Sequence, residues 1–427
     1  MKPNLDDVLA ALGLTDHREA IAEAWATSMT GMPERPPFLE RDFLRGACAY
    51  LDLPGTVEAE VMAAALRIRE DLALTALAWH GHCRLGEAGL GLRGWPSLAK
   101  ALGAQAGMFY VLLVLSFAPR ARAVHTAHQV PEDVVRATMG DVLLHIERYR
   151  CRHGAWGLDS AIAGGWLMHH FRGEIYRLGR LQFMARPFPK GFHVLRRARD
   201  GTVAVLLDDG LELRRDGALN GSGGVTESEG TWLSRYRETD EAFIGHPVDP
   251  AAATAARETV SLRRPDWGPV LNPGDTTLDM HIPEGGPLDF EACGESMARA
   301  VRFFRRHFPA ARFQALSSVS WIFDPRLEGL LSPQSNLVRF LREFYLFPAQ
   351  GDAWSIVRCV WDVDVPRGAE RFDVSSLPAD TSLRRGIIEY IERGGHFCKT
   401  GALMLPTELS RYGLQPYRRQ KLSGLRG

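Results

Sequence analysis

His281, Glu284 and the paired glycines Gly285-Gly286 form the run of this 427-residue chain with the most chemical potential. An imidazole exchanges protons near neutral pH, and a carboxylate does so when its surroundings raise its basicity. The backbone ahead of them, Thr276 to Ile282, reads as a strand that stops at Pro283. After Glu284-Gly285-Gly286-Pro287 a helix begins near Asp289 or Glu291 and runs to about Phe308. A strand that empties through a Gly turn into a helix N-terminus is suited to anions, because the first-turn N–H groups are free and the helix dipole is positive there. The stretch is therefore a candidate for holding a phosphate-bearing cofactor, at Gly285 and Gly286 and around Gly294-Glu295-Ser296 in the helix. An ordinary strand–turn–helix unit has the same spacing, since GG turns are common. Cys293 is a nucleophile type, but a covalent route needs a His/Asp partner that the sequence does not identify.

Other reactive residues are less well placed. His80, His82 and Cys83 are metal-ligand types, yet residues two apart on a helix diverge and only His80 and Cys83 could share a face. They read as structural, as do His169 and His170 beside Trp166 and Phe171. The six cysteines, Cys48, Cys83, Cys151, Cys293, Cys359 and Cys398, lie far apart with no CxxC pair. That argues against a disulfide framework or a zinc site, and fits reduced thiols in a cytoplasmic protein. Lys+Arg and Asp+Glu both number 51, so the net charge is zero and no global field favours nucleic acid or anionic lipid. The first residues lack the basic and apolar regions of a signal peptide. The apolar stretch Ala104 to Pro119 falls short of the roughly 20 residues that span a bilayer and reads as a buried helix.

The elements that must position these residues fall into two parts. Residues 1–155 read as an all-helical domain. An acidic first turn at Asp6-Asp7 precedes Val8, Leu9 and Leu12, Glu58 to Ala78 has mixed three- and four-residue apolar spacing, and Pro131-Glu132-Asp133 opens a further helix. Residues 156–427 read as a mixed, largely antiparallel α/β sheet domain. Leu158 to about Phe171 is a further helix, and Arg180 to Met184 turns toward a strand. Val203 to Leu207 is a strand, Asp208-Asp209-Gly210 a hairpin signal and Leu211 to Arg214 its return. Asp249 to Ala256 reads as a short helix and Val260 to Leu262 as a strand. The helix after the Gly turn sets Met297, Val301, Phe304 and Phe308 on one face and Arg299, Arg302 and Arg306 on another. Phe313 to Phe323 reads as a strand, Ser335-Asn336 as the cap of a helix over Leu337 to Phe344, and Trp354 to Asp362 as a strand. Ser382 to Arg393 reads as an amphipathic helix and Phe397 to Leu405 as a last strand. Arg418, Arg419, Lys421 and Arg426 read as a solvated tail.

The order strand, turn, helix, strand, helix, strand from 275 to 362 resembles the GNAT acyltransferase core. The chain as a whole resembles the bacterial acyltransferases with an N-terminal helical domain and a GNAT-like C-terminal domain. The residues that carry this are Leu178-Gly179-Arg180-Leu181-Gln182-Phe183, Gly274-Asp275, His281-Ile282-Pro283 and Ser320-Trp321-Ile322-Phe323-Asp324-Pro325, followed by Ser335-Asn336. The resemblance implies an α+β fold in which one strand, Thr277 to Ile282, splays from the next, Phe313 to Phe323. The gap would receive acyl-CoA, with Met280 and Ile282 along the pantetheine and Glu284 to Ser296 at the pyrophosphate. It further implies that Asn336 contacts the cofactor and that Tyr345 protonates the leaving thiolate. His281 and Glu284 become the candidate bases. The expected activity is transfer of an acyl group, from acetyl-CoA or another acyl-CoA, to a small-molecule or peptide amine, with no metal, nucleic acid or membrane involved and an oligomer left open. The alternatives are a GNAT-like binding module without catalysis, and an acyltransferase fed by a carrier protein docked on Arg299, Arg302, Arg305 and Arg306.

Overall fold

The computed structural model describes residues 3–87, 91–366 and 368–418; Arg419, Lys421 and Arg426 lie outside them. The chain divides into two compact units, Met1–Leu178 with Pro283–Gly285, and Gly179–Ile282 with Gly286–Gly427.

The first unit is helical. Helix α1 (Leu5–Leu12) starts where Asn4 Oδ1 accepts the N–H of Asp6, and buries Leu5, Val8, Leu9 and Leu12 at helical spacing. The apolar run from Glu58 to Ala78 is split between α3 and α4 of the series α2 (Arg41–Tyr50), α3 (Gly55–Arg69) and α4 (Leu72–Gly86). Asp71 makes the break: its carboxylate accepts from the N–H groups of Ala73 and Leu74 and so caps α4. All ten residues of α5 (Ala106–Leu115) are buried. The segment Ala99–Ala127 is long and apolar enough by composition to cross a membrane, yet 78% of its most apolar window is buried inside the protein, as in a core helix. Helices α6 (Ala118–Ala127) and α7 (Glu132–His153) follow. The unit then continues to Leu178 rather than ending at 155. A π turn at Ile162–Trp166 and α8 (Leu167–Phe171) bury Ala163, Leu167, Met168 and Phe171 in the same core as α5.

His80, His82 and His170 of this unit lie against polar groups of the fold. His80 is fully buried, with Nδ1 2.9 Å from Ser28 Oγ and Nε2 2.8 Å from the carbonyl of Ile21. Burial pushes its pKa down to about 4. His82 Nδ1 lies 2.7 Å from Ser116 Oγ, and His170 Nε2 lies 3.1 Å from Asp141 Oδ2.

The second unit is built on strands β1 (Gln182–Pro187), β2 (Phe192–Arg197), β3 (Val203–Leu207), β4 (Trp267–Leu271), β5 (Thr276–His281), β6 (Ala315–Ser320), β7 (Tyr345–Pro348) and β8 (Thr400–Met404). Five of them form a sheet in the order β1-β5-β6-β8-β7, in which only β5 and β6 are parallel. A second antiparallel sheet runs β4-β2-β3. Helix α9 (Phe290–His307) follows β5, and α10 (Asn336–Leu341) follows β6. Met297, Val301 and Phe304 are buried on one side of α9, whereas Arg302 and Arg306 are exposed.

Several expectations change here. Strand β3 pairs with the earlier β2, and Glu212–Leu213 pairs with Trp232–Leu233, so Asp208-Asp209-Gly210 is not a hairpin turn. Gly210 instead donates to the carbonyl of Ser234, whose own hydroxyl donates to the carbonyl of Asp208, which turns the chain outward. Residues 249–256 form a strand hairpin rather than a helix: Asp249 Oδ1 accepts from the N–H groups of Ala251 and Ala252, an Asx turn. The run Trp354 to Asp362 is helix α11 (Ser355–Trp361), not a strand. Asp352 Oδ1 accepts from the N–H of Trp354 and starts it, and Asp362 ends it with φ 55°. The sheet uses β7 in its place.

Candidate active site

Strands β5 and β6 pair through three positions, Thr277 with Ala315, Leu278 with Leu316 and Asp279 with Ser317. Beyond them each strand keeps only its outer partner. Met280 and His281 pair with Phe183 and Gln182 of β1, while Ser318, Val319 and Ser320 pair with Ala402, Gly401 and Thr400 of β8. The two parallel strands therefore part after Asp279 and Ser317. A hydrogen bond of 2.7 Å between Thr277 Oγ1 and Ser317 Oγ closes the apex of this wedge.

Side chains alternate along a strand, so Thr277, Asp279 and His281 share one sheet face with Ser317 and Val319. Leu278 and Met280 face the other way and are buried. Val319 lies on an interior strand yet keeps 39% of its surface exposed. On the same face, His281 Nε2 lies 3.0 Å from Asp279 Oδ2, with both side chains about one-third exposed, at 31% and 28%. A carboxylate at this distance is placed to orient an imidazole. Sequence reasoning singled out His281 and did not name Asp279 beside it. The signal was present, because residues two apart on a strand share a face.

The turn after β5 is held in place from within the sheet unit. Arg180 donates from Nε to the carbonyl of Pro287 at 2.8 Å and from its guanidinium to that of Gly286 at 3.0 Å. Gly285 and Gly286 adopt φ of 99° and 101°, a conformation that requires glycine. Glu284 clusters with the helical unit, where its carboxylate lies 2.6 Å from the guanidinium of Arg148. Among the described contacts it is an ion-pair partner.

Helix α9 begins where the sequence indicated, but its first turn carries its own acids. Asp289 caps it by accepting from the N–H of Ala292 at 2.8 Å, and Glu291 pairs with Arg339 at 2.8 Å. These carboxylates take up part of the positive potential that a phosphate would use. Gly294, Glu295 and Ser296 stand more than a turn inside, where helix N–H groups are already bonded. Gly294 is a packing residue: an added Cβ would stand 2.6 Å from the Tyr412 ring. Glu295 is exposed, and the Oγ of buried Ser296 accepts from the N–H of Leu181. The three are placed for the fold rather than for phosphate.

One further expectation is corrected. Tyr345 is fully buried on β7, where its hydroxyl donates to the carbonyl of Val248 at 2.6 Å and accepts from the N–H of Val205 at 3.2 Å. Burial raises its pKa, so the proton stays within the fold and is not delivered to a thiolate. Cys293 is buried, and burial pushes its thiol up to about 12, which removes the thiolate that a covalent route needs. Ser335 caps α10 through Val338 N–H, and Asn336, its first residue, is half-buried.

The wedge between two parallel strands, followed by a Gly turn and a helix, defines a GNAT-type acyl-transfer fold. The profile of the GNAT-like C-terminal domain matches residues 175–404, and that of the N-acyltransferase N-terminal domain matches 42–173. The first spans more than half of the chain, and the protein belongs to this family of N-acyltransferases with a GNAT-like C-terminal domain. No curated protein matches the chain. Among solved structures, an acyltransferase mutant in complex with octanoyl-CoA is 24% identical with a TM-score of 0.62, covering 95% of this chain and 99% of that one. An acyltransferase in complex with decanoyl-CoA and teicoplanin is also 24% identical, with a TM-score of 0.63 over 94% and 99%. At these identities the likeness shows a shared fold.

Proposed function

We propose that the protein transfers a medium-length acyl group from acyl-CoA to the amine of a small molecule. The observation that carries the reading is the wedge between β5 and β6 with the Asp279–His281 pair on its polar face. Membership of the family supports acyl transfer from CoA to nitrogen. The octanoyl- and decanoyl-CoA bound by the solved relatives support a donor chain longer than acetyl, and the teicoplanin bound by one supports a small-molecule acceptor. The pantetheine lies along β5 from Met280 to Ile282, where β5 has parted from β6, with the Gly285-Gly286 turn toward the pyrophosphate. The amine nitrogen attacks the thioester carbon, the N–C bond forms, and the C–S bond breaks to release the CoA thiolate. His281 takes the proton lost by the amine and returns it to the thiolate or to water. Asp279 holds the imidazole and the charge it acquires. Proximity in the wedge supplies much of the acceleration.

Calorimetry with acetyl-, octanoyl- and decanoyl-CoA, followed by thiol release over a panel of amines, tests the reading. Each methylene buried contributes roughly 0.8 kcal/mol, so octanoyl- and decanoyl-CoA should bind at least about tenfold more tightly than acetyl-CoA. Failure of all three to bind would sink the proposal.

A further inference from the structure

Gln182 of β1 is fully buried, and neither its Oε1 nor its Nε2 has a hydrogen-bond partner among the described residues. A buried carboxamide without partners is destabilising, and such a group calls for an explanation. Its place in the sheet supplies one. Gln182 stands directly opposite His281 in the antiparallel β1–β5 pairing, so the two side chains project from the same face with Cβ atoms about 5 Å apart. On that face Thr277 bonds Ser317, and Asp279 Oδ2 lies 3.0 Å from His281 Nε2. Arg180, two residues earlier, is engaged on the carbonyls of the Gly turn.

We propose that Gln182 is a substrate-binding residue of the catalytic face: its Oε1 accepts a hydrogen bond from the acceptor amine beside His281. This rests on the acyltransferase reading above. A neutral primary amine offers two N–H bonds and one lone pair. With one N–H directed to His281, the molecule still rotates about that bond. A second acceptor fixes the rotation and holds the lone pair on the thioester carbon. A carboxamide suits this task better than a carboxylate. It accepts the bond without stabilising the ammonium form, whose lone pair is unavailable. Gln182 exchanges no proton in the step; the N–C bond forms and the C–S bond breaks as before.

The test compares full-length wild type with Gln182→Leu, which keeps the volume and removes the polar atoms, and Gln182→Glu. Three quantities are read with octanoyl-CoA and an accepted amine: kcat/KM for the amine, octanoyl-CoA affinity by calorimetry, and Tm. For Gln182→Leu the expected result is a 10- to 100-fold loss in amine kcat/KM, octanoyl-CoA affinity within twofold of wild type, and a Tm unchanged or raised. For Gln182→Glu the loss should be comparable, with the pH optimum moved upward because the carboxylate holds the ammonium. Where the Leu variant is insoluble, Gln182→Asn withdraws the amide by one methylene and should show the same selective loss. Unchanged amine kcat/KM in a folded Leu or Asn variant overturns the contact and leaves the transferase reading standing. A lowered Tm with loss of octanoyl-CoA affinity assigns Gln182 to the fold and overturns it as well. Wild type that binds octanoyl-CoA but acylates no amine overturns both.

Discussion

Replacing Gly294 by Ala separates packing from phosphate binding at the head of α9. The new Cβ would stand 2.6 Å from Tyr412 Cδ1 and 2.7 Å from Cε1, closer than carbon atoms approach without displacement. Tyr412 cannot swing away freely. Its ring stacks on Phe290 with centroids 4.6 Å apart, and its hydroxyl donates to the carbonyl of Phe290 at 2.8 Å. Overpacking of this kind costs about 1–3 kcal/mol. Ala is better than Gly inside a helix by about 1 kcal/mol, which offsets part of it. The net loss is about 1 kcal/mol, or roughly 2–4 °C in Tm for a unit of this size.

The sign should reverse when the obstacle is removed. In a Tyr412→Ala background, Gly294→Ala no longer meets the ring, and the helix preference alone should raise stability by about 1 kcal/mol. The assay is thermal unfolding of the four variants, together with octanoyl-CoA affinity. Affinity should change by less than about twofold on Gly294→Ala in either background. Destabilisation that persists without Tyr412, or a tenfold loss of octanoyl-CoA affinity in both backgrounds, would refute the packing account and restore Gly294 as a cofactor contact.

Other perturbations test the rest of the site. His281→Ala should lower kcat about 100-fold with octanoyl-CoA affinity nearly unchanged, and Asp279→Asn should lower it less, about tenfold; full activity in either variant removes the pair from the reaction. Tyr345→Phe should leave kcat within twofold while lowering stability by about 1–3 kcal/mol, because the buried Val248 carbonyl and Val205 N–H lose their partner; a fall in kcat without a fall in Tm would return Tyr345 to the chemistry. His80 and His125 should make the protein acid-labile. Burial lowers both from 6.5 to about 4 in the folded chain, so between those values the unfolded state binds more protons and stability is lost as pH falls. Each contributes up to about 3 kcal/mol over that window. Melting curves at pH 7 and pH 5 check this, and an unchanged midpoint contradicts it.

Much of the fold could be read along the chain because its signals are local. Asp289 and Ser335 are capping residues, and each accepts the bond that a cap requires, from Ala292 and Val338. The strand Thr276 to Ile282 shows its period, and the stop at Pro283 is a property of proline. What stayed hidden depends on partners far away in sequence. Strand β3 has an apolar run and a turn after it, yet it pairs backward with β2. The run Ile356 to Trp361 has apolar residues on both of its alternating faces, with Arg358 on one, so periodicity could not separate a strand from a buried helix, and the deciding group is the Asp352 side chain outside the run.

The same distinction governs the site. His281 stands out in sequence by residue type alone, and Asp279 follows from it by the two-residue period of a strand. Gln182 has no such signal. Between Leu181 and Phe183 it looks like one polar residue in a strand, and only its register opposite His281 gives it a chemical position. The Gly turn misleads in the opposite sense. Its glycines suggested a phosphate site that extended into the helix at Gly294, Glu295 and Ser296. A helix has free N–H groups only in its first turn, and here Asp289 and Glu291 already stand there. The chemistry concentrates where β5 leaves β6, a property of strand pairing that no single residue records.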